Sequence, residues 1–168
     1  YFSDPTKNAF SLFAKANIDI HEKLSGYVYL KGRFVSYQTA VLTSDRDPID
    51  VDANFDFFNP KVGFTYAINN DNNLYASFAV ANREPNRNDF ENGVSTPETL
   101  FDYEFGWRLK SENVKLNTNI YYMDYDIQLV VTGAIDDVGQ PIRATSGSSY
   151  RLGVEIDAEI TLTDQLYL

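Results

Sequence analysis

Residues 101 to 110, FDYEFGWRLK, place Phe101, Tyr103, Phe105, Trp107 and Leu109 in one phase and Asp102, Glu104, Gly106, Arg108 and Lys110 in the other. Side chains of an extended chain point alternately to opposite faces, so a period of two makes a strand with one apolar and one polar side. Residues 151 to 162, RLGVEIDAEITL, repeat the pattern, with Leu152, Val154, Ile156, Ala158, Ile160 and Leu162 against Arg151, Gly153, Glu155, Asp157, Glu159 and Thr161. No stretch shows helical periodicity as strong as this.

Weaker alternation runs through residues 9–20, 24–38, 60–69, 73–83 and 114–131, which predicts about seven strands and the start of an eighth at Gln165. The 12 Tyr and 12 Phe suit strands, where large rings pack on a pleated surface. Connections near 21, 69–73, 111–113 and 163 are short, and those at 39–58, 84–99 and 132–149 are long. In an antiparallel up-and-down meander every second connection falls on the same side, so short turns occupy one rim and long loops the other, the pattern of an outer-membrane barrel. Ten or more residues at ~3.3 Å each, tilted by roughly 45°, cover about the ~25 Å apolar band of such a barrel. Alternation alone does not choose between apolar-outward and the apolar-inward arrangement of a soluble barrel or β-rich binding or adhesion module. The rings of the apolar phase and the asymmetry of the loops favour apolar-outward.

The formal net charge of -10, with 14 Lys and Arg scattered along 168 residues, argues against a nucleic-acid partner. The absence of cysteine excludes disulfide scaffolds, thiolate metal sites and thiol nucleophiles. No apolar run is long enough for a spanning helix, which leaves a barrel as the membrane option. His21 is the sole histidine and sits in a short turn, and Ser146, Ser148 and Ser149 have no base nearby, so neither a triad nor a histidine metal cluster is expected. Glu155 and Asp157 share a strand face, where hydration and internal contacts suit them better than acid–base catalysis. The expectation is a protein that is not an enzyme and needs no cofactor.

Residues 82 to 93, NREPNRNDFENG, concentrate charge and amide between two strands. One reading makes Arg83, Glu84, Pro85, Arg87 and Asp89 a loop base held by ion pairs and a proline-fixed turn that leads the chain outward. The other gives Arg87, Asn88, Asp89 and Phe90 direct contact with a ligand. Arg83 shares the polar phase and is expected to pair with Asp102 or Glu104 across the ladder. In a barrel, Arg83, Asp102, Glu104, Arg108, Glu155 and Asp157 would all face the lumen, and the small Ser77, Ala79 and Ala81 would leave room beside them. Asp45, Asp47, Asp50 and Asp52, in SDRDPIDVDANFD, form a weak calcium candidate that lacks the glycine and terminal glutamate of the EF-hand loop and otherwise reads as a solvated acidic loop. Residues 132 to 149 read as a flexible loop.

Several stretches resemble the TonB-dependent receptors of Gram-negative outer membranes, especially the siderophore or cobalamin type of Bacteroidetes. They are LFAKANIDI, NFDFFNPKVGFTY, NNLYASFAVANREPNRNDF, LFDYEFGWRLKS, NIYYMDYDIQLVVTG and SYRLGVEIDAEI, spanning most of the chain. The sequence NREPNRNDF, followed by Pro97-Glu98 and Asp102-Tyr103-Glu104-Phe105-Gly106, is similar to the family's strand, Arg-x-Pro loop, Pro-Glu and Tyr-Glu-x-Gly segment. The resemblance implies a barrel of the 22-stranded transporter kind with a plugged lumen. On that basis residues 1–168 are expected to be part of the barrel wall, with the plug and the TonB-contacting segment upstream of this stretch. The implied partners are the outer membrane, the plug, TonB and a small nutrient, with a ferric siderophore or cobalamin favoured over a glycan or peptide.

Overall fold

A computed structural model describes residues 5–42, 48–135, 139, 141–163 and 166–167. Its strands are β1 (Thr6–His21), β2 (Leu24–Leu42), β3 (Pro48–Phe58), β4 (Lys61–Ala67), β5 (Asn72–Arg83), β6 (Glu98–Lys110), β7 (Val114–Asp126), β8 (Leu129–Ile135), β9 (Pro141–Thr145), β10 (Ser149–Thr163) and β11 (Leu166–Tyr167). One short helix, α1 (Arg87–Glu91), lies between β5 and β6. Nine of the strands form one antiparallel sheet in the order β1-β2-β4-β5-β6-β7-β10-β11, with β3 pairing β2 off that path, while β8 and β9 form a separate hairpin. This is the predicted meander.

The expected long loop at 39–58 is a correction: β2 continues to Leu42 and β3 fills residues 48–58, paired from Gly32↔Phe58 to Leu42↔Pro48. The alternation of Ile49, Val51, Ala53, Phe55 and Phe57 with Asp50, Asp52, Asn54 and Asp56 makes a strand of what reads locally as an acidic loop. β3 and β4 flank a break at Asn59 and Pro60, where proline has no N–H to give to a ladder. The Pro60 carbonyl still accepts from the Val80 N–H at 2.9 Å, and the Asn59 side-chain oxygen accepts from the Asn82 N–H at 2.9 Å, replacing the missing strand carbonyl. Thr99 Oγ1 continues the relay by donating to Asn82 Oδ1 at 2.7 Å.

Ladder register settles which residues share a face. One face carries Phe10, Leu12, Ile18, Leu30, Phe34, Phe64, Tyr103, Phe105, Ile120, Tyr122, Leu152 and Ile156, all well exposed for their size. From Phe10 to Ile20 this apolar run on β1 rises by roughly 23 Å at the usual strand pitch and tilt, close to the height of a barrel's lipid band. An aromatic row crosses it, with ring centroids 4.9 Å apart for Phe78–Tyr103, 6.1 Å for Tyr103–Tyr122 and 5.9 Å for Tyr122–Tyr150. At the other end Trp107 Nε1 donates to Asn72 Oδ1 at 3.0 Å, giving the indole the polar anchor expected at an interface.

The opposite face is polar, and three tyrosines lie flat against glycines on the neighbouring strand. Tyr75 faces Gly106, Tyr27 faces Gly63 and Tyr121 faces Gly153, and in all three places a Cβ would collide with the ring. At Gly106 a Cβ would also meet the Thr118 carbonyl, so backbone as well as ring fixes that residue.

Beyond Phe34 the polarity of the two faces reverses. Val35, Tyr37, Thr39 and Phe57 are buried on the inner face, while Gln38, Asp52, Asn54 and Asp56 are exposed on the outer one. The expected strand at 114–131 also divides. β7 stops at Asp126, Ile127 takes a positive φ of 57°, and β8–β9 occupies residues read as a flexible loop. A β-branched residue in that conformation costs about 1–2 kcal/mol. The bonds from Gln128 N–H to Gly147 O at 3.0 Å and from Ser146 N–H to Gln128 O at 2.9 Å hold the turn in place.

Candidate functional site

Rows of cross-strand partners bring the sequence-predicted polar residues onto the inner face. Asp102 lies between Ala79 and Met123, Glu104 between Ser77 and Tyr121, and Arg108 between Asn73 and Asn117. Glu155 and Asp157 follow on β10, opposite Asn119 and Asn117. Tyr75 ties two rows together: the Arg108 guanidinium sits 4.0 Å from its ring centroid, and its hydroxyl donates to Asn119 Oδ1 at 3.0 Å. Ser77 Oγ donates to Glu104 at 2.9 Å. Asp102 Oδ1 is buried with no hydrogen-bond partner among the described residues. Asp102 and Glu104 lie half-buried beside the small Ser77 and Ala79, and their unmatched acceptor capacity suits donors brought by another polypeptide or a ligand.

Arg83 does not pair with Asp102 or Glu104. β6 begins at Glu98, earlier than the alternation suggested, and the register sets Arg83 opposite Glu98, with 3.6 Å between their charged groups. Asp102 and Glu104 are displaced down the strand to face Ala79 and Ser77.

The segment after β5 turns inward, not outward. Glu84 and Pro85 are buried, and Asn86 caps α1, its side chain accepting from the Asp89 N–H at 3.0 Å while Asp89 accepts from the Asn86 N–H at 2.9 Å. Phe90 stacks on Tyr37 of β2 at 5.4 Å with an interplanar angle of 3°. Asp89 and Phe90, 1% and 9% exposed, are therefore committed to the fold. Arg87 and Asn88 are the exposed members of the predicted ligand-contact group, and Arg87 Nε reaches Glu91 at 2.7 Å.

Sequence reasoning placed Glu84 in a loop base but missed its partners. Both nitrogens of the Arg33 fork donate to its carboxylate, at 2.5 and 2.7 Å, and Lys7 Nζ approaches at 2.8 Å. Burial by itself raises the Glu84 pKa, but the hydrogen bonds from Arg33 and Lys7 outweigh it and hold the group at about 2. Arg33 lies 51 positions away, and no local pattern announces such a pair. The Asn86-x-x-Asp89 box was readable in the sequence, since cap and third helical residue name each other at fixed spacing.

Of the calcium candidates, Asp45 and Asp47 lie outside the described residues. Asp50 and Asp52 alternate onto the outer face of β3, and the described residues contain no group of three or more ligands able to hold a metal. Extension of the chain as a strand separates these carboxylates and prevents the convergence that coordination needs.

Comparison with solved structures matches this architecture. The copper transporter OprC superposes with a TM-score of 0.79 at 15% identity over 96% of this chain and 27% of its own. The FrpB iron transporter of Neisseria meningitidis gives 0.69 at 16% identity, over 97% of this chain and 25% of its own. The siderophore receptor PiuA of Acinetobacter baumannii gives 0.69 at 20% identity, over 95% and 24%. At these identities the likeness concerns the fold, and the chain spans about a quarter of the length of these structures. No curated protein matches the sequence. A model of the TonB-dependent receptor-like β-barrel matches residues 1–168. With an apolar outer face, a polar inner face and that match over its whole length, the chain belongs to the TonB-dependent receptor β-barrel family.

Proposed function

We propose that the chain forms part of the outer-membrane wall of a receptor that imports a scarce nutrient, most specifically a ferric siderophore or cobalamin, with energy delivered through TonB. The observation that carries this reading is the family match joined to the division of faces, lipid-compatible outside and charged inside. The names of similar structures, among them an iron transporter, a siderophore receptor and the ferric yersiniabactin uptake receptor of Yersinia pestis, favour iron chelates over glycans or peptides. The inner face would hold the plug, with Asp102, Glu104, Glu155 and Asp157 accepting hydrogen bonds from it. Arg87 and Asn88 would meet the ligand from outside. The wall carries out no covalent chemistry in this scheme; transport proceeds by binding and plug movement.

The test is uptake of radiolabelled ferric siderophore, or of labelled cobalamin, by cells whose only such receptor is the full-length protein, with and without TonB. TonB-dependent accumulation is expected, and Arg87→Ala with Asn88→Ala should weaken ligand binding by about fivefold to tenfold, the loss of one or two hydrogen bonds. Uptake of neither compound, with the receptor folded in the outer membrane, would refute this choice of substrate. Uptake of a glycan or peptide in their place would favour the other transport reading.

A further inference from the structure

We infer that the outer face of the β1–β2–β3 corner is a binding site for a saccharide-headed lipid of the outer leaflet. Register places Asn8, Ser36 and Asn54 in one row across three strands, and Phe10, Phe34 and Asp56 in the next. Phe10 and Phe34 stack with ring centroids 6.2 Å apart, forming a shelf at the level where the face changes from polar to apolar. A depression of about 300 Å³ opens at the shelf, lined by Asn8, Phe10, Phe34, Ser36, Asn54 and Asp56. A second, of about 340 Å³, continues from Phe34 toward the bilayer between Leu12, Ala14, Leu30 and Gly32. Ala14 and Gly32 make the lower depression, because their neighbours stand proud of them, with the Phe34 ring reaching over its upper end to 3.5 Å from where a Cβ on Gly32 would stand.

The chemistry of the upper depression selects the headgroup. Its walls offer two carboxamides, a hydroxyl and a carboxylate, which together accept and donate hydrogen bonds. Sugar hydroxyls also do both. A phosphate only accepts and is anionic, and it would meet Asp56 and, two rows higher, Asp52 with no Lys or Arg on this face of the three strands. None of Asn8, Ser36, Asn54 and Asp56 engages another side chain among the described residues, so their groups are available. The lower depression suits an acyl chain, and one amphiphile spans both.

The full-length receptor, delipidated in detergent, would be offered an equimolar mixture of a monoglucosyl diacylglycerol and a phosphatidylglycerol of matched chains, and the retained lipid read by native mass spectrometry. The glucolipid should be retained about fivefold over the phospholipid, as expected for one net hydrogen bond or more. Asn54→Ala with Asp56→Ala should bring the ratio to about one, and Gly32→Phe, which fills the acyl groove, should lower retention of the glucolipid. Asp126→Ala, on the outer rim of β7, should leave both unchanged, with heat-modifiable migration reporting the fold of every variant. Equal retention of both lipids, preference for the phosphatidylglycerol, insensitivity to the Asn54/Asp56 change, or loss of glucolipid on chelating divalent cations would each overturn the assignment.

Discussion

Glu84 shows how much a single side chain does at the top of this wall. It joins β1 through Lys7, β2 through Arg33 and the chain leading into α1, with its own side chain 7% exposed. Its pKa is depressed from 4.5 to about 2, so the ionised form stabilises the fold fully above about pH 4.5, and this contribution is lost as pH falls from there toward 2. Because Lys7 and Arg33 remain 46% and 25% exposed, solvent screening reduces the effect to about 2 kcal/mol. Glu84→Gln should therefore lower the unfolding midpoint of the receptor at pH 7, and the gap to the parent protein should close as pH approaches 2. A gap that stays constant across that range would show that the ion pairs contribute nothing. The sequence suggested an ion-paired loop base but not the partners of Glu84, because a carboxylate gains such partners only when strands far apart in the chain are brought side by side.

At the scale of elements, the instructive case is residues 84–97. Sequence reasoning weighed a loop base against a ligand-contact loop, and the structure divides the residues between these roles: Asp89 and Phe90 serve the fold, while Arg87 and Asn88 stay exposed. Phe90 turns inward because β2 and β3, past Phe34, present an apolar inner face on which, among the described residues, its ring stacks against Tyr37. α1 supplies the missing layer. Phe90→Ala should cost about 3 kcal/mol locally, and Asn86→Ala about 1 kcal/mol through loss of the cap. Both changes should accelerate amide exchange and proteolysis within residues 84–97 while leaving heat-modifiable migration of the barrel intact. Unaltered exchange in Phe90→Ala would mean that the ring does not anchor the segment.

For the whole molecule, the decisive quantity is the sign of each face. Ile156 is 68% exposed on the apolar side, and Asp157, the next residue along β10, points to the other. In a folding titration into phospholipid vesicles, Ile156→Arg should cost about 2–4 kcal/mol if it lies near the bilayer midplane, and Asp157→Arg less than about 1 kcal/mol. Equal costs would contradict the assignment of lipid and lumen faces. The same reasoning explains why the reversal past Phe34 matters: strands whose outer residues become Ser36, Gln38, Asp52 and Asp56 have left the acyl-chain layer.

The alternation in residues 101–110 and 151–162 was enough to establish strands and a two-faced sheet, because a period of two is a local property of extended backbone, and the short and long connections between strands pointed to the antiparallel meander. It also placed Asp102, Glu104, Arg108, Glu155 and Asp157 together on one face. Only the tertiary structure decided that residues 48–58 are a strand, that Arg83 faces Glu98, and that the NREPNRNDFENG segment folds inward under Phe90. Register, the joining of distant charges and the covering of an exposed apolar face depend on which strands come to lie side by side, and that is set by the sum of long-range contacts, not by any short stretch of sequence.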